Sequence, residues 1–118
     1  MKATLRSFHS PDFDLANDLD HPGVDQLLVQ MMVGPDDGPG EESFDVLIRT
    51  WERLKLELDE FGLLQPRHEL IQKELNLTIA LAHLRAQVES LEAPTWGELA
   101  ALVARIGKWE FEDYTSPH

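Results

Sequence analysis

The chain has 118 residues, of which 42% are hydrophobic, no cysteine, and a formal net charge of −12. A chain of this length buries roughly two-thirds of its unfolded surface around one core, so a single domain over residues 1–118 is expected; disulfides and thiolate chemistry are excluded. A pI near 4.6 argues against nucleic acid as a partner, because phosphate binding needs clustered Lys and Arg.

Residues 2 to 8 alternate Ala3, Leu5 and Ser7 against Thr4, Arg6 and Phe8, a period-two pattern that predicts a strand across one face of a core. The start MKATLRSF has no apolar run of signal-peptide length. No later segment approaches the roughly 20 apolar residues of a membrane span, so a soluble cytoplasmic protein without a membrane partner is expected. Residues 9 to 23, with Pro11, Pro22 and Gly23, read as a loop. VDQLLVQMMV, residues 24 to 33, is apolar enough for a central strand covered on most of both faces. The turn-rich Gly34 to Gly40 then returns the chain into Phe44, Val46 and Ile48, alternating with Asp45, Leu47 and Arg49, which predicts an antiparallel hairpin with a long loop.

From Trp51 the period becomes helical. Trp51, Leu54, Leu58 and Phe61 form one stripe, with Thr50 placed to cap the helix and Gly62 to end it. RHELIQKEL, residues 67 to 75, fits strand or helix about equally. Leu77, Leu81, Leu84, Val88 and Leu91 form a second helical stripe, capped by Asn76 and stopped before Pro94. Thr95 with Glu98 is a capping box that opens a third helix, lined by Trp96, Leu99, Val103 and Ile106 and ended by Gly107. WEFEDY resumes alternation as a short strand or extended segment. Strands first and helices mostly after predict an α+β protein, an antiparallel sheet of about four strands with about three helices on one face. Core packing is the default role for Trp51, Trp96 and Trp109, whereas Tyr114, in the acidic tail, is the better interface aromatic.

Charge is unevenly distributed. Ser7 to Ile48 contains ten acids, namely Asp12, Asp14, Asp18, Asp20, Asp25, Asp36, Asp37, Glu41, Glu42 and Asp45, and no Lys or Arg; the rest of the chain has twelve acids against ten bases. A field of one sign speeds encounter with an oppositely charged partner, which points to a cationic one; its simplest alternative role is solubility.

Candidate chemistry is sparse. His9, Asp12, Asp14, Asp18, Asp20 and His21 are metal-ligand types, but an EF-hand starting at Asp12 would put Asn17 and Gly23 where Gly and Glu are required, so a solvated acidic loop is expected and no metal or cofactor. No serine sits in a nucleophile elbow. His68 and His83 read as surface or half-buried histidines. The glycine-rich GPDDGPG is surrounded by Asp36, Asp37, Glu41 and Glu42 and followed by no Lys, so it does not form a phosphate cradle. No enzyme activity is expected.

Three blocks, MKATLRSFHSPD, the hairpin LLVQMMVGPDDGPGEESFDVLI and TWGELAALVARIGKWEFEDY, together resemble the immunity protein 8 family of bacterial polymorphic toxin systems. RHELI resembles that family's RHxLI strand, which favours a strand there and the order β-β-β-α-β-α-α. Where the family tends to show Thr-Pro-x-Trp-Leu, this chain has Thr50, Trp51, Glu52, Arg53 and Leu54, an altered helix entry. The resemblance implies a protein that binds and neutralises a toxin encoded beside it, with no catalysis and no cofactor. Physical reasoning adds that an acidic surface would dock on a basic toxin and imitate substrate phosphate charge. Asp36, Asp37, Glu41 and Glu42 on the hairpin loop are the first candidates for contact; Asp18, Asp20, Glu110, Glu112, Asp113 and Tyr114 are the second. The alternatives are a general adaptor module with no toxin partner and a small metal-dependent enzyme using the His9 to His21 cluster.

Overall fold

A computed structural model describes residues 1–11, 14–15 and 24–110. In chain order the elements are β1 (Ala3–His9), β2 (Gln26–Pro35), β3 (Glu42–Thr50), α1 (Trp51–Phe61), β4 (Glu69–Gln72), α2 (Leu77–Glu89), α3 (Trp96–Val103) and β5 (Lys108–Trp109). This is an α+β chain in the expected order, with the RHELI segment a strand and a two-residue strand added at the end. The sheet runs β1-β2-β3-β4, and β5 also pairs with β3. Neighbours are antiparallel except β3 and β4, which are parallel. Parallel neighbours need a crossover rather than a tight turn, and α1 supplies it.

One face of the sheet is the core. Leu5, Leu27, Val29, Met31, Val33, Phe44, Val46 and Ile48 are buried there against Leu77, Ala80, Leu84 and Val88 of α2 and Leu99, Ala100 and Val103 of α3. Both helices are held at their starts by side-chain caps: Asn76 Oδ1 accepts from Ile79 N at 3.1 Å and Thr95 Oγ1 from Glu98 N at 3.2 Å, each satisfying a donor that the first helical turn leaves unpaired. The predicted caps of α1 are also present, with Thr50 Oγ1 accepting from Arg53 N at 3.2 Å and Gly62 ending the helix at φ 79°.

Two local expectations are corrected. The alternation of β1 does not run through the strand: Leu5 pairs with Val33 but Ser7 pairs with Met32. Arg6 is thus the extra residue of a β-bulge, and beyond it the faces exchange. Phe8, opposite Met31, joins the core side that Ser7 was expected to occupy. In β2, Leu27, Val29, Met31 and Val33 are buried while Leu28, Gln30 and Met32 are half-buried, so the strand is buried on one face rather than both. The apolar run misled because Leu28 and Met32 carry apolar side chains onto the less buried face.

Sheet edges are closed by different means. The outer edge of β1 is met by the end of α2, where Arg85 Nη1 donates to Leu5 O at 2.8 Å and Leu5 N donates to Glu89 Oε2 at 3.1 Å. On the far side of β3, β4 pairs with residues 47–50 and β5 with residues 44–45.

Candidate partner-binding surface

The β2–β3 hairpin tip is braced by contacts that begin in β1. The bulge presents the Arg6 guanidinium to the turn, where it donates to Gly40 O at 3.2 Å, Pro35 O at 2.8 Å and Gly38 O at 2.9 Å. Gly34 makes this grip possible, since a Cβ there would lie 2.1 Å from Gly40 O and 2.7 Å from Arg6 Nε. The turn also closes at Gly40, whose φ of 102° suits glycine.

The four predicted tip acids divide into two kinds. Asp36 is tied to the N-terminal segment: its carboxylate accepts from Lys2 N at 2.9 Å and its own N–H donates to Lys2 O at 2.9 Å. Glu42 accepts from the Trp96 indole N–H at 2.8 Å, which pins the tip end of β3 to α3. Asp37 and Glu41 are exposed, and among the described residues their carboxylates have no hydrogen bond or ion pair. Glu110 N donates to Ser43 O at 3.4 Å, so this acid joins the tip end of β3. Asp18, Asp20, Glu112, Asp113 and Tyr114 lie outside the described residues, as do Asp12 and His21 of the proposed metal-like cluster.

A second surface was missed by sequence reasoning. At the other end of β3, Arg49 is buried and its guanidinium is ion-paired to Glu57 of α1 and, at 3.1 Å, to Glu69 of β4. Arg53 adds pairs to Asp25 and Glu57, each at 3.7 Å. Arg49 alternates with Ile48, so this network lies on the face opposite the core, and it turns Arg53, Leu54, Glu57 and Leu58 inward to half-buried positions. Trp51 therefore rotates out of the apolar stripe and Phe61 lies at the far end of the helix. The two are 52% and 60% exposed, a correction of the expected core role for Trp51. Trp96 and Trp109 do pack on the core, Trp109 stacked on Phe44 with ring centroids 6.0 Å apart. The signal available in the sequence was the Arg53–Glu57 spacing, which puts a charge pair on the same side as Leu54 and Leu58.

These surfaces carry little chemistry. Ser7 Oγ and His9 Nε2 are 3.2 Å apart, two positions apart on one strand, and among the described residues no carboxylate orients the ring as a third member of a triad would. No group of three or more His, Asp or Glu among the described residues could hold a metal ion. A cleft of about 460 Å³, on the face opposite the core, is lined by His9, Pro11, Leu28, Gln30, Met32 and Asp45. His68 takes a left-handed φ of 59°, with its Nε2 2.7 Å from Ala104 O, a contact that ties the start of β4 to the end of α3. Among the described residues no helix is long and apolar enough to cross a membrane.

The sequence model of the immunity protein 8 family matches residues 3–114. No curated protein and no solved structure matches the chain.

Proposed function

The chain belongs to the immunity protein 8 family, and we propose that it binds the polymorphic toxin encoded beside it and neutralises that toxin stoichiometrically in the cytoplasm of the producing bacterium. The observation that carries this reading is the family match over nearly the whole chain; the acidic hairpin end supports a basic partner. Inhibition by occlusion needs a surface that keeps its shape, and a tip gripped by Arg6 through three carbonyls meets that need. Asp37 and Glu41 supply the uncommitted charge there, while Asp36 and Glu42 hold the tip to the fold. The acids imitate substrate phosphate charge in the toxin's cleft, and no step of the function is catalytic.

The test is co-expression with the gene lying immediately upstream. Cells making the C-terminal domain of that gene's product are expected to survive only when this chain is also made, and the two purified proteins to form a 1:1 complex by light scattering. Growth arrest despite full expression of the chain, with no complex formed, would show that the reading is wrong.

A further inference from the structure

Six large hydrophobic residues are exposed among the described residues, and four of them, Trp51, Leu56, Phe61 and Leu63, fall within the thirteen residues from 51 to 63. None is needed to hold the helix down. α1 contributes no buried residue, and it is fastened to the sheet by half-buried Leu54 and Leu58 and by the Arg49, Arg53, Glu57 and Glu69 charges. Scattered single apolar residues need no explanation, but a tryptophan and a leucine held outward by one short helix, with Phe61 and Leu63 exposed at its exit, are the composition of a protein interface.

The charges around them select the occupant. Glu52, Leu56 and Asp59 are at i, i+4 and i+7, on one line of the helix, and with Lys55 they line a shallow cleft of about 330 Å³. Such a slot takes the aliphatic stem of a Lys or Arg along Leu56 and its cationic head between the two carboxylates. Glu60 is exposed beside them, leaving three acids against one base on the outward side. A second copy of this chain would bring acids against acids, in a molecule already at −12. A basic protein would not.

Resting on the immunity reading above, we infer that the outward surface of α1 with Leu63 is the anchoring contact for the toxin, with Trp51 and Leu56 as its apolar anchors and Glu52 and Asp59 as its charge partners. The hairpin tip then steers the approach and α1 sets the lifetime of the complex. Rim charges act mainly on association, whereas desolvated anchors act on dissociation.

The probe is the purified C-terminal domain of the protein encoded immediately upstream, measured by surface plasmon resonance against the full chain. W51A combined with L56S is expected to weaken binding by about 30-fold or more, almost wholly through faster dissociation, with the far-UV spectrum and melting temperature unchanged because both positions are exposed. E52Q combined with D59N is expected to weaken binding and flatten its salt dependence, and Trp51 emission to shift to the blue in the complex. Wild-type affinity in both double variants would overturn the inference while leaving the immunity reading intact. So would a wild-type homodimer that W51A/L56S converts to a monomer with toxin binding unchanged. Absence of binding by the wild-type chain would instead remove the immunity reading and this inference with it.

Discussion

Arg49 is the residue on which most of the chain's charged architecture converges. Its guanidinium meets Glu57 from the helix that follows and Glu69 from the strand beyond, with its own side chain only 5% exposed. Removing the shared cation leaves two half-buried carboxylates, with Arg53 still paired to Glu57 but no cation among the described residues on Glu69, so R49A is expected to destabilise by about 3 kcal/mol. That is roughly 10 °C in melting temperature for a domain of this size, readable by calorimetry. Neutralising all three positions together, as in R49M/E57Q/E69Q, should recover much of the loss, because uncharged side chains have no such desolvation penalty. Local signals at this scale were legible: Thr50, Asn76, Thr95 and Gly62 each do what their residue type and position announced. Arg49 was not legible as a buried cation, since its partners lie 8 and 20 positions away and meet only when β4 docks parallel to β3.

Among the elements, α1 differs from the other two helices. α2 and α3 bury apolar faces in the core, whereas α1 is a crossover held by charge and by two half-buried leucines. Local stability follows buried apolar contact, so α1 should open far more easily than α2. Hydrogen exchange is expected to show the amides of residues 55–61 exchanging well before those of 81–88; equal protection would mean that the ion network does the work of a core. Periodicity found every element that is long or strongly patterned, including the hairpin and all three helices. It gave the wrong inner face for β1 after Arg6, because a bulge is one residue of misregister that alternation cannot announce. It placed Trp51 inside, because the rotation of α1 is set by the buried charges rather than by its apolar stripe.

For the molecule as a whole, charge concentration was the clearest sequence signal, and the fold redistributes it. Arg6, at the margin of the basic-free stretch, is folded into the hairpin turn, and Asp36 and Glu42 are occupied by partners from the N-terminal segment and from α3. The long-range charge remains, since the chain stays at −12, but the locally available tip charge is that of Asp37 and Glu41. D37S/E41S is accordingly expected to lower the association rate with the toxin domain several-fold at low salt and to reduce its salt dependence, with dissociation little changed. If replacing all four tip acids by Ser leaves affinity and its salt dependence unaltered, the tip has no part in recognition. The candidate tip was legible from composition and turn residues alone; its division into structural and free acids was not, because it depends on contacts across 34 and 54 positions.

The two-residue strand β5 bears on self-association as well as on packing. β4 covers the outer edge of β3 only over residues 47–50, so the backbone at Phe44 and Asp45 is covered there by Lys108 and Trp109. Exposed strand edges are templates for pairing with another chain. This short closing strand shields backbone of the apolar β2–β3 hairpin that β4 does not reach, and so leaves less open edge on which a second copy of the chain could pair.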